Sequence, residues 1–327
     1  MKLLINIPAF NEEKTIEKTI KSLPKKVKGF DVVKYQLIDD GSTDNTKKIA
    51  KKLKVNYIYS NGINRGLGIT FKRAVHKALK NGFDVMVNID ADGQFNPNDI
   101  SQLTQPILKN KADITIASRF SGIKAKNMPK IKSFLNKYGS KLVGFFLGTQ
   151  TSDLTCGFRA YSRESMMRLN LTHQFTYTQE TIIDALSKNL KIVWLPVKVT
   201  YFKNRKAKMT KNLSNFIYQS FMIIIKTLRD TKPLKFFGFP AFILILIAFV
   251  IFAGVFLNYI YNYLDLGTLK VSPYKNWLGL ASITLILGIQ FLVFAFLADM
   301  IKSSRNINEE QMYEQRKIRF SKGASKK

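Results

Sequence analysis

One cysteine, Cys156, stands in 327 residues, so no disulfide can form within the chain. The expectation is a buried thiol in a reducing compartment. Only two histidines occur, His76 and His173, far apart in sequence, and a histidine-rich metal site is not expected. Acidic residues are scarce as well: 22 Asp and Glu face 52 Lys and Arg, a net charge of +30. Such an excess serves either nucleic acid or the anionic face of a membrane. Its position in the chain separates the two.

Charge is missing altogether from Phe236–Leu257 and from Trp277–Ala298, 22 residues each. A hydrocarbon core requires roughly 20. Both segments read as transmembrane helices; a pair of buried core helices is the alternative, which would need polar punctuation that is missing. Lysine and arginine crowd the outer flanks of the pair, whereas Lys270 and Lys275 are the only basic residues between them. The positive-inside rule then puts both termini in the cytoplasm, with two spans and a short outer loop. The charge reads as adhesion to an anionic membrane surface, with no nucleic acid partner. The chain begins directly with the strand-like KLLINIPAF, so no signal peptide is expected. The last 20 or so residues are expected to form a charged, disordered tail.

Residues 1 to about 200 alternate short β-branched runs with helical patterns. KLLINIP, YQLIDD, VNYIYS, DVMVNID, DITIAS and KIVWLPVKVTY read as strands; EEKTIEKTIKSL, NTKKIAKKL and LGITFKRAVHKALKNG read as helices. This alternation predicts an α/β domain with a mostly parallel sheet, whose ligands bind beyond the carboxyl ends of the strands. Acids collect at three such ends: Glu12 and Glu13, Asp39 and Asp40, Asp90 and Asp92. In IDADGQF, Asp90 and Asp92 at i and i+2 of a strand would share a face, with Gly93 turning the chain away. Two converged carboxylates suit a hard divalent ion that also gathers phosphate oxygens, although a plain polar turn reads the same in isolation. Segments 129–148 and 213–228 are amphipathic, and each fits either a core-facing helix or a helix lying in the membrane interface.

PAFNEE (8–13), LIDDGSTDNT (37–46), NRGLG (64–68), DADGQF (90–95), ASRF (117–120), SDLTCGFRAY (152–161) and NRKAKMTK (204–211) occur in the order seen in family 2 glycosyltransferases. Over roughly residues 1–215 the chain most resembles the dolichyl- and polyprenyl-phosphate sugar synthases. The resemblance implies a GT-A fold, a mostly parallel sheet flanked by helices, which the hydropathy pattern follows with interfacial amphipathic helices and two spans. Together they divide the chain into a cytoplasmic catalytic domain (1–211), a juxtamembrane amphipathic helix (212–232), a two-helix membrane region (233–301) and a basic tail (302–327). The resemblance also implies a nucleotide-sugar donor, GDP- or UDP-linked, a polyprenyl phosphate acceptor, and Mg2+ or Mn2+ as cofactor. Pro8, Phe10, Glu12, Ile38 and Asp40 would hold base and ribose. Asp90, Ala91, Asp92 and Gln94 would form the diphosphate and metal site, with Asp92 and Gln94 as direct ligands. Arg119 would lie near the sugar-diphosphate, and Arg205 and Lys211 would reach back over the phosphates, unless these two only decorate the cytoplasmic flank. Phe10 stands where the family more often has tyrosine, and Lys208 where it has glycine.

Asp92, Asp153, Glu180 and Arg205 are the catalytic candidates. Glu180 lies where other family members carry a base-like acid; positioning cationic side chains and a helix-surface ion pair are its other readings. Asp153 either shapes the acceptor side or merely makes a turn. A lipid phosphate is already ionised and needs no base, whereas a glycolipid synthase using a lipid hydroxyl would make Glu180 an obligate base. A non-catalytic, nucleotide-sugar-binding membrane tether is the reading from another class. Two spans leave room for a homo-oligomer or a partner membrane protein.

Overall fold

The structure is a computed structural model that describes residues 1–120, 130–199, 213–266 and 274–321. It divides into two compact units. The first comprises Met1–Thr227 together with Glu309–Lys327, and the second Leu228–Asn308.

The first unit is built on a seven-stranded sheet of order β3-β2-β1-β4-β6-β5-β7. The strands are β1 (Lys2–Ala9), β2 (Val32–Asp39), β3 (Tyr57–Ser60), β4 (Val85–Asn88), β5 (Ile114–Ser118), β6 (Arg159–Ser162) and β7 (Ile192–Pro196). All neighbours run parallel except at β6, which is antiparallel to both β4 and β5. Seven of the eight residues of β1 are buried, the continuous run expected of a central parallel strand covered on both faces. Helices α1 (Ile16–Ser22), α2 (Thr46–Lys52), α3 (Leu67–Lys80), α4 (Asp99–Leu108), α5 (Lys130–Leu147), α6 (Arg163–Arg168) and α7 (Thr178–Ser187) accompany the sheet. The chain leaves β1 for β2 and β3 on one side and returns to β4 on the other. The crevice between β1 and β4 is therefore the switch point where a ligand is expected.

A polar chain crosses the buried centre of this sheet. Gln36 Nε2 donates to Asn6 Oδ1 (2.9 Å), and Asn6 Nδ2 to Asn88 Oδ1 (2.7 Å). Asn88 Nδ2 then reaches Tyr177 Oη (2.8 Å) and the Gly157 carbonyl. Buried amides that satisfy one another in this way fix the register of β2, β1 and β4 and tie the sheet to α7.

The two amphipathic segments are α5 and α8 (Leu213–Thr231). On α5 the buried residues include Asn136, Ser140 and Val143, while Phe134, Tyr138 and Phe145 are exposed. Tyr218 and Phe221 of α8 are exposed too. Each helix packs one face inward, α8 through Ile223 and Ile224, and turns aromatic rings outward on the other.

The second unit carries most of α9 (Pro233–Leu266) and the first part of α10 (Lys275–Arg319). Its buried positions include Ala241, Ala248, Ala281 and Ala295, whereas Phe242, Phe249, Ile286 and Phe296 are exposed. Gly288 lets Ile245 approach so closely that a Cβ there would meet its Cγ1 at 2.7 Å. Small residues between helices and large apolar ones outside suit lipid and not a water-soluble core. The two helices form the candidate membrane anchor.

The tail departs from expectation. Residues 302–319 are not a loose end but the continuation of α10, and Glu309 onward belongs to the first unit. Glu309 pairs with Lys188 (2.8 Å), Tyr313 Oη donates to Glu164, and Phe320 meets His76 edge-on. The composition is disorder-like, but these partners on the α/β unit stabilise the helix.

Candidate active site

Two loops at the carboxyl ends of β1 and β2 clasp each other. Asn11 accepts from Thr43 N (2.8 Å) while its own N–H donates to Ser42 Oγ (2.9 Å). Glu12 N donates to Thr46 Oγ1 (2.7 Å), and Glu13 N to Asp44 Oδ2 (3.1 Å). The clasp explains why PAFNEE and DGSTDNT are both polar: each supplies the other's hydrogen bonds. Pro8 lies opposite Ile38 in the β1–β2 register, both buried, and Asp40 N donates to the Ala9 carbonyl. Pro8, Phe10, Ile38 and Asp40 thus share one edge of the sheet.

Asp39 and Asp40 do not turn freely into the crevice. Asp39 accepts from Ser42 N and Ser60 Oγ. Asp40 accepts from Asn61 Nδ2 (2.7 Å), Arg65 N (3.0 Å) and Gly66 N (3.0 Å). These carboxylates shape the NRGLG turn. The acids that do crowd the crevice are those after β1 and β4. Burial and the nearby charges of Asp92 and Glu12 push the Asp90 carboxyl up to about 7, with Arg119 and Arg159 opposing.

The strand-face account of the acidic pair needs correcting. β4 ends at Asn88, so Asp90 and Asp92 lie in the following turn, where Gly93 takes φ +70° and Asp92 Oδ1 accepts from Gln94 N (3.0 Å). The turn, not strand alternation, brings the carboxylates together. Ala91 is held beneath them by Thr19 Oγ1, which donates to its carbonyl. Gly157 completes the floor: a Cβ there would lie 3.0 and 3.1 Å from the two Asp90 carboxylate oxygens.

Asp153 is fully buried and grips Arg119 through both oxygens, from Nε (2.6 Å) and Nη2 (2.7 Å). Thr155 N and Cys156 N donate to the same carboxylate. Burial would raise the Asp153 pKa, but the Arg119 guanidinium and the backbone N–H groups of Thr155 and Arg119 hold it below the usual range. Asp153 therefore fixes the orientation of the Arg119 guanidinium. Burial pushes the Cys156 thiol up to about 12, an inert group as expected.

Glu180, on α7, is engaged by the segment that precedes its own helix. It accepts from Thr172 N (2.6 Å), Thr172 Oγ1 (2.8 Å) and His173 N (3.2 Å), with His173 Nδ1 at 3.0 Å. Burial opposes its ionisation, yet these donors hold its pKa below the ordinary value. Arg205 and Lys211 lie outside the described residues.

Sequence reasoning passed over Gly157 and Arg159, both inside the quoted SDLTCGFRAY. Arg159 is fully buried, donating from Nε to the Cys156 carbonyl (2.7 Å) and from Nη1 to Thr181 Oγ1 (2.6 Å). An arginine one residue from an apolar run was the available signal.

Among the described residues no three His, Cys, Asp or Glu side chains converge as a metal cage. The oxygen donors present are Asp90, Asp92 and Gln94. That set fits a hard divalent ion which draws its remaining ligands from water and a diphosphate.

Residues 5–169 match the family described as glycosyl transferase family 2. The UDP-N-acetylglucosamine–dolichyl-phosphate N-acetylglucosaminyltransferase of Methanococcus voltae is 31% identical over 231 residues, 64% of this chain and 90% of that one. The polyprenol monophosphomannose synthase of Mycolicibacterium smegmatis is 25% identical over 217 residues, 63% of this chain and 80% of that one. In structure, glucosyl-3-phosphoglycerate synthase from Mycobacterium tuberculosis, solved with Mn2+, UDP and glucosyl-3-phosphoglycerate, superposes with a TM-score of 0.57. That match is 21% identical and covers 69% of this chain and 80% of the other, a likeness of fold.

Proposed function

The chain belongs to glycosyl transferase family 2, and from that premise we propose that this glycosyltransferase moves a sugar from a UDP- or GDP-linked donor to a polyprenyl phosphate, with inversion at the anomeric carbon. The carrying observation is the crowding of Asp90 by Asp92 and Glu12 at the β1–β4 switch point, faced by Arg119. Carboxylates forced together there call for a cation, and a nucleotide-sugar's leaving group is a diphosphate that a cation would neutralise. Asp92 and Gln94, beside Asp90, would hold the divalent ion, Mg2+ or Mn2+, which when bound offsets the charge developing on that diphosphate.

The protein's own groups divide the remaining work. Pro8, Phe10, Ile38 and the Asp40-shaped turn hold the nucleoside end. Arg119, fixed by Asp153, meets phosphate oxygens with charge-assisted bonds. Arg205 and Lys211 would add further positive charge from the segment before α8. An acceptor phosphate is ionised at neutral pH, so attack requires alignment and no proton removal. The engagement of Glu180 by Thr172 and His173 supports such an acceptor over a lipid hydroxyl. The exposed rings of α5 and α8 support catalysis at a membrane surface, and the basic flanks of the anchor support cytoplasmic termini.

The test incubates membranes carrying the protein with labelled UDP- and GDP-sugars and undecaprenyl or dolichyl phosphate, with and without EDTA. A monophosphate-linked, inverted product is expected, abolished by EDTA and by Asp92→Ala. A retained anomer, a diphosphate-linked product, or transfer indifferent to both treatments would reject the reading.

A further inference from the structure

Residues Leu169–Phe175 join α6 to α7 and are gripped from two sides. On the inner side, Glu180 is 2% exposed and takes both backbone N–H groups of Thr172 and His173 together with their side chains. On the outer side, Arg316 at the end of α10 donates from Nη1 to the carbonyls of Met167 (2.7 Å) and Leu169 (3.0 Å), and from Nη2 to Asn170 Oδ1 (2.7 Å). Asn170 N is in turn bonded to Asp184 Oδ2 of α7 (2.9 Å).

The strap presses on the NRGLG turn. Gly68 N donates to the Gln174 carbonyl (2.8 Å). A Cβ at Gly66 would lie 2.7 Å from that same oxygen, and one at Gly68 would collide with the carbonyl oxygens of His173 and Gln174. The other side of the turn is bonded through Arg65 N and Gly66 N to Asp40 at the end of β2. An unbroken series of contacts therefore runs from Arg316 through the strap and the glycine turn to the edge that carries Ile38 and Asp40.

We propose that Glu180 is a positioning residue of the donor site, seating the Leu169–Phe175 strap against the Gly66–Gly68 turn, and that Arg316 braces the same strap from outside. The proposal rests on the reading of the β1–β2 edge as the nucleotide site. A general base needs a carboxylate oxygen turned to the acceptor, and both Glu180 oxygens already receive donors from the strap. Among the described residues, the hydrogen bonds of Arg316 go to Met167, Leu169 and Asn170, at the start of that strap. A shared effect of the two residues on donor binding therefore separates positioning from proton transfer.

The experiment uses the full chain in detergent, with Glu180→Gln, Arg316→Met and, as a control, Lys317→Met, whose side chain is 58% exposed and faces Glu314 on the same helix. Hydrogen exchange is followed at residues 65–68, UDP and GDP binding is measured with Mn2+, and donor KM is separated from kcat. Faster exchange at Arg65–Gly68 is expected in both strap variants and not in the control. Loss of charged hydrogen bonds should weaken nucleotide binding about tenfold, more for Glu180→Gln than for Arg316→Met, and raise donor KM with kcat largely kept. Unchanged exchange in Arg316→Met would overturn the brace, and it decides the matter even if Glu180→Gln does not fold. Loss of kcat in Glu180→Gln with exchange and nucleotide binding intact would make Glu180 a base. If the unaltered protein bound neither nucleotide, the donor-site reading would fail along with the strap's role in it, while exchange would still report whether the strap holds the turn.

Discussion

Asp153 carries a folded-state pKa held low by Arg119, so its contribution to stability is fully present above the unfolded carboxylate value of about 3.9 and is lost as pH falls through the lower folded value. Breaking a buried pair from one side costs about 3–5 kcal/mol, which for a unit of this size is roughly 6–20 °C in Tm. Asp153→Asn should melt lower by that order at pH 7 in detergent, with the gap to the unaltered protein narrowing below about pH 4. A gap independent of pH would mean that the lost partner is not a charge. Gly157→Ala makes a different kind of test, because its methyl would sit against the Asp90 carboxylate while leaving the sheet intact. A shift of about 1 Å costs about 100-fold in rate, and the smaller shift needed here should lower turnover by less than that, with circular dichroism unchanged. Residues of one type diverged most from their reading in sequence. Asp39–Asp40 and Asp90/Asp92 look alike as strand-end acids, yet the first two are closed around by Ser42, Ser60, Asn61 and the Arg65–Gly66 N–H groups. Ser42 is local, but the other partners come from the end of β3 and the turn before α3, which linear spacing does not reveal.

Elements with a clear apolar pattern were legible: the continuous runs of β1, β4 and β5, the amphipathic α3 and both long apolar helices lie where that pattern puts them. β6 was not, since RAYS is four residues long and opens on an arginine that reads as surface. Its burial is made tolerable by the carbonyls of Leu154 and Cys156 in the preceding loop and by Thr181 Oγ1 of α7. α7 hid for a related reason: Thr178–Ala185 is buried throughout, its polar residues included, so polarity along the helix does not mark a solvent face. α5 was visible as amphipathic but its facing was not, and the two faces predict different things. Asn136 donates to the Ser152 carbonyl and accepts from Leu154 N, fixing the loop that carries Asp153. Asn136→Ala should cost about 1–3 kcal/mol by stranding buried partners, seen as a lower Tm with weaker donor binding. Phe134→Ser with Phe145→Ser should leave Tm unchanged while reducing transfer to a long-chain lipid phosphate in vesicles. If the pair lowered Tm as Asn136→Ala does, those rings would be packed in the fold and not presented to lipid.

The whole molecule is read in sequence as a catalytic domain followed by an anchor and a tail, but its first unit is discontinuous, Met1–Thr227 with Glu309–Lys327. A chain stopped after Asn308 should keep both apolar helices and still partition into membranes. It should nevertheless lose the Tyr313 bond to Glu164 and the Arg316 bonds to the strap, and become cleavable by protease between α6 and α7. Equal protease resistance in the short and full chains would show that the end of α10 contributes nothing to that unit. Discontinuity also imposes a schedule on the ribosome. At about 5–20 residues per second the first 227 residues wait roughly 4–16 s for Glu309. During that delay the 81 residues of Leu228–Asn308, with both hydrophobic segments, emerge and must find lipid. The first unit is thus completed only after both hydrophobic segments have been made, so its last helix turns are added to a fold whose other 227 residues are already synthesised.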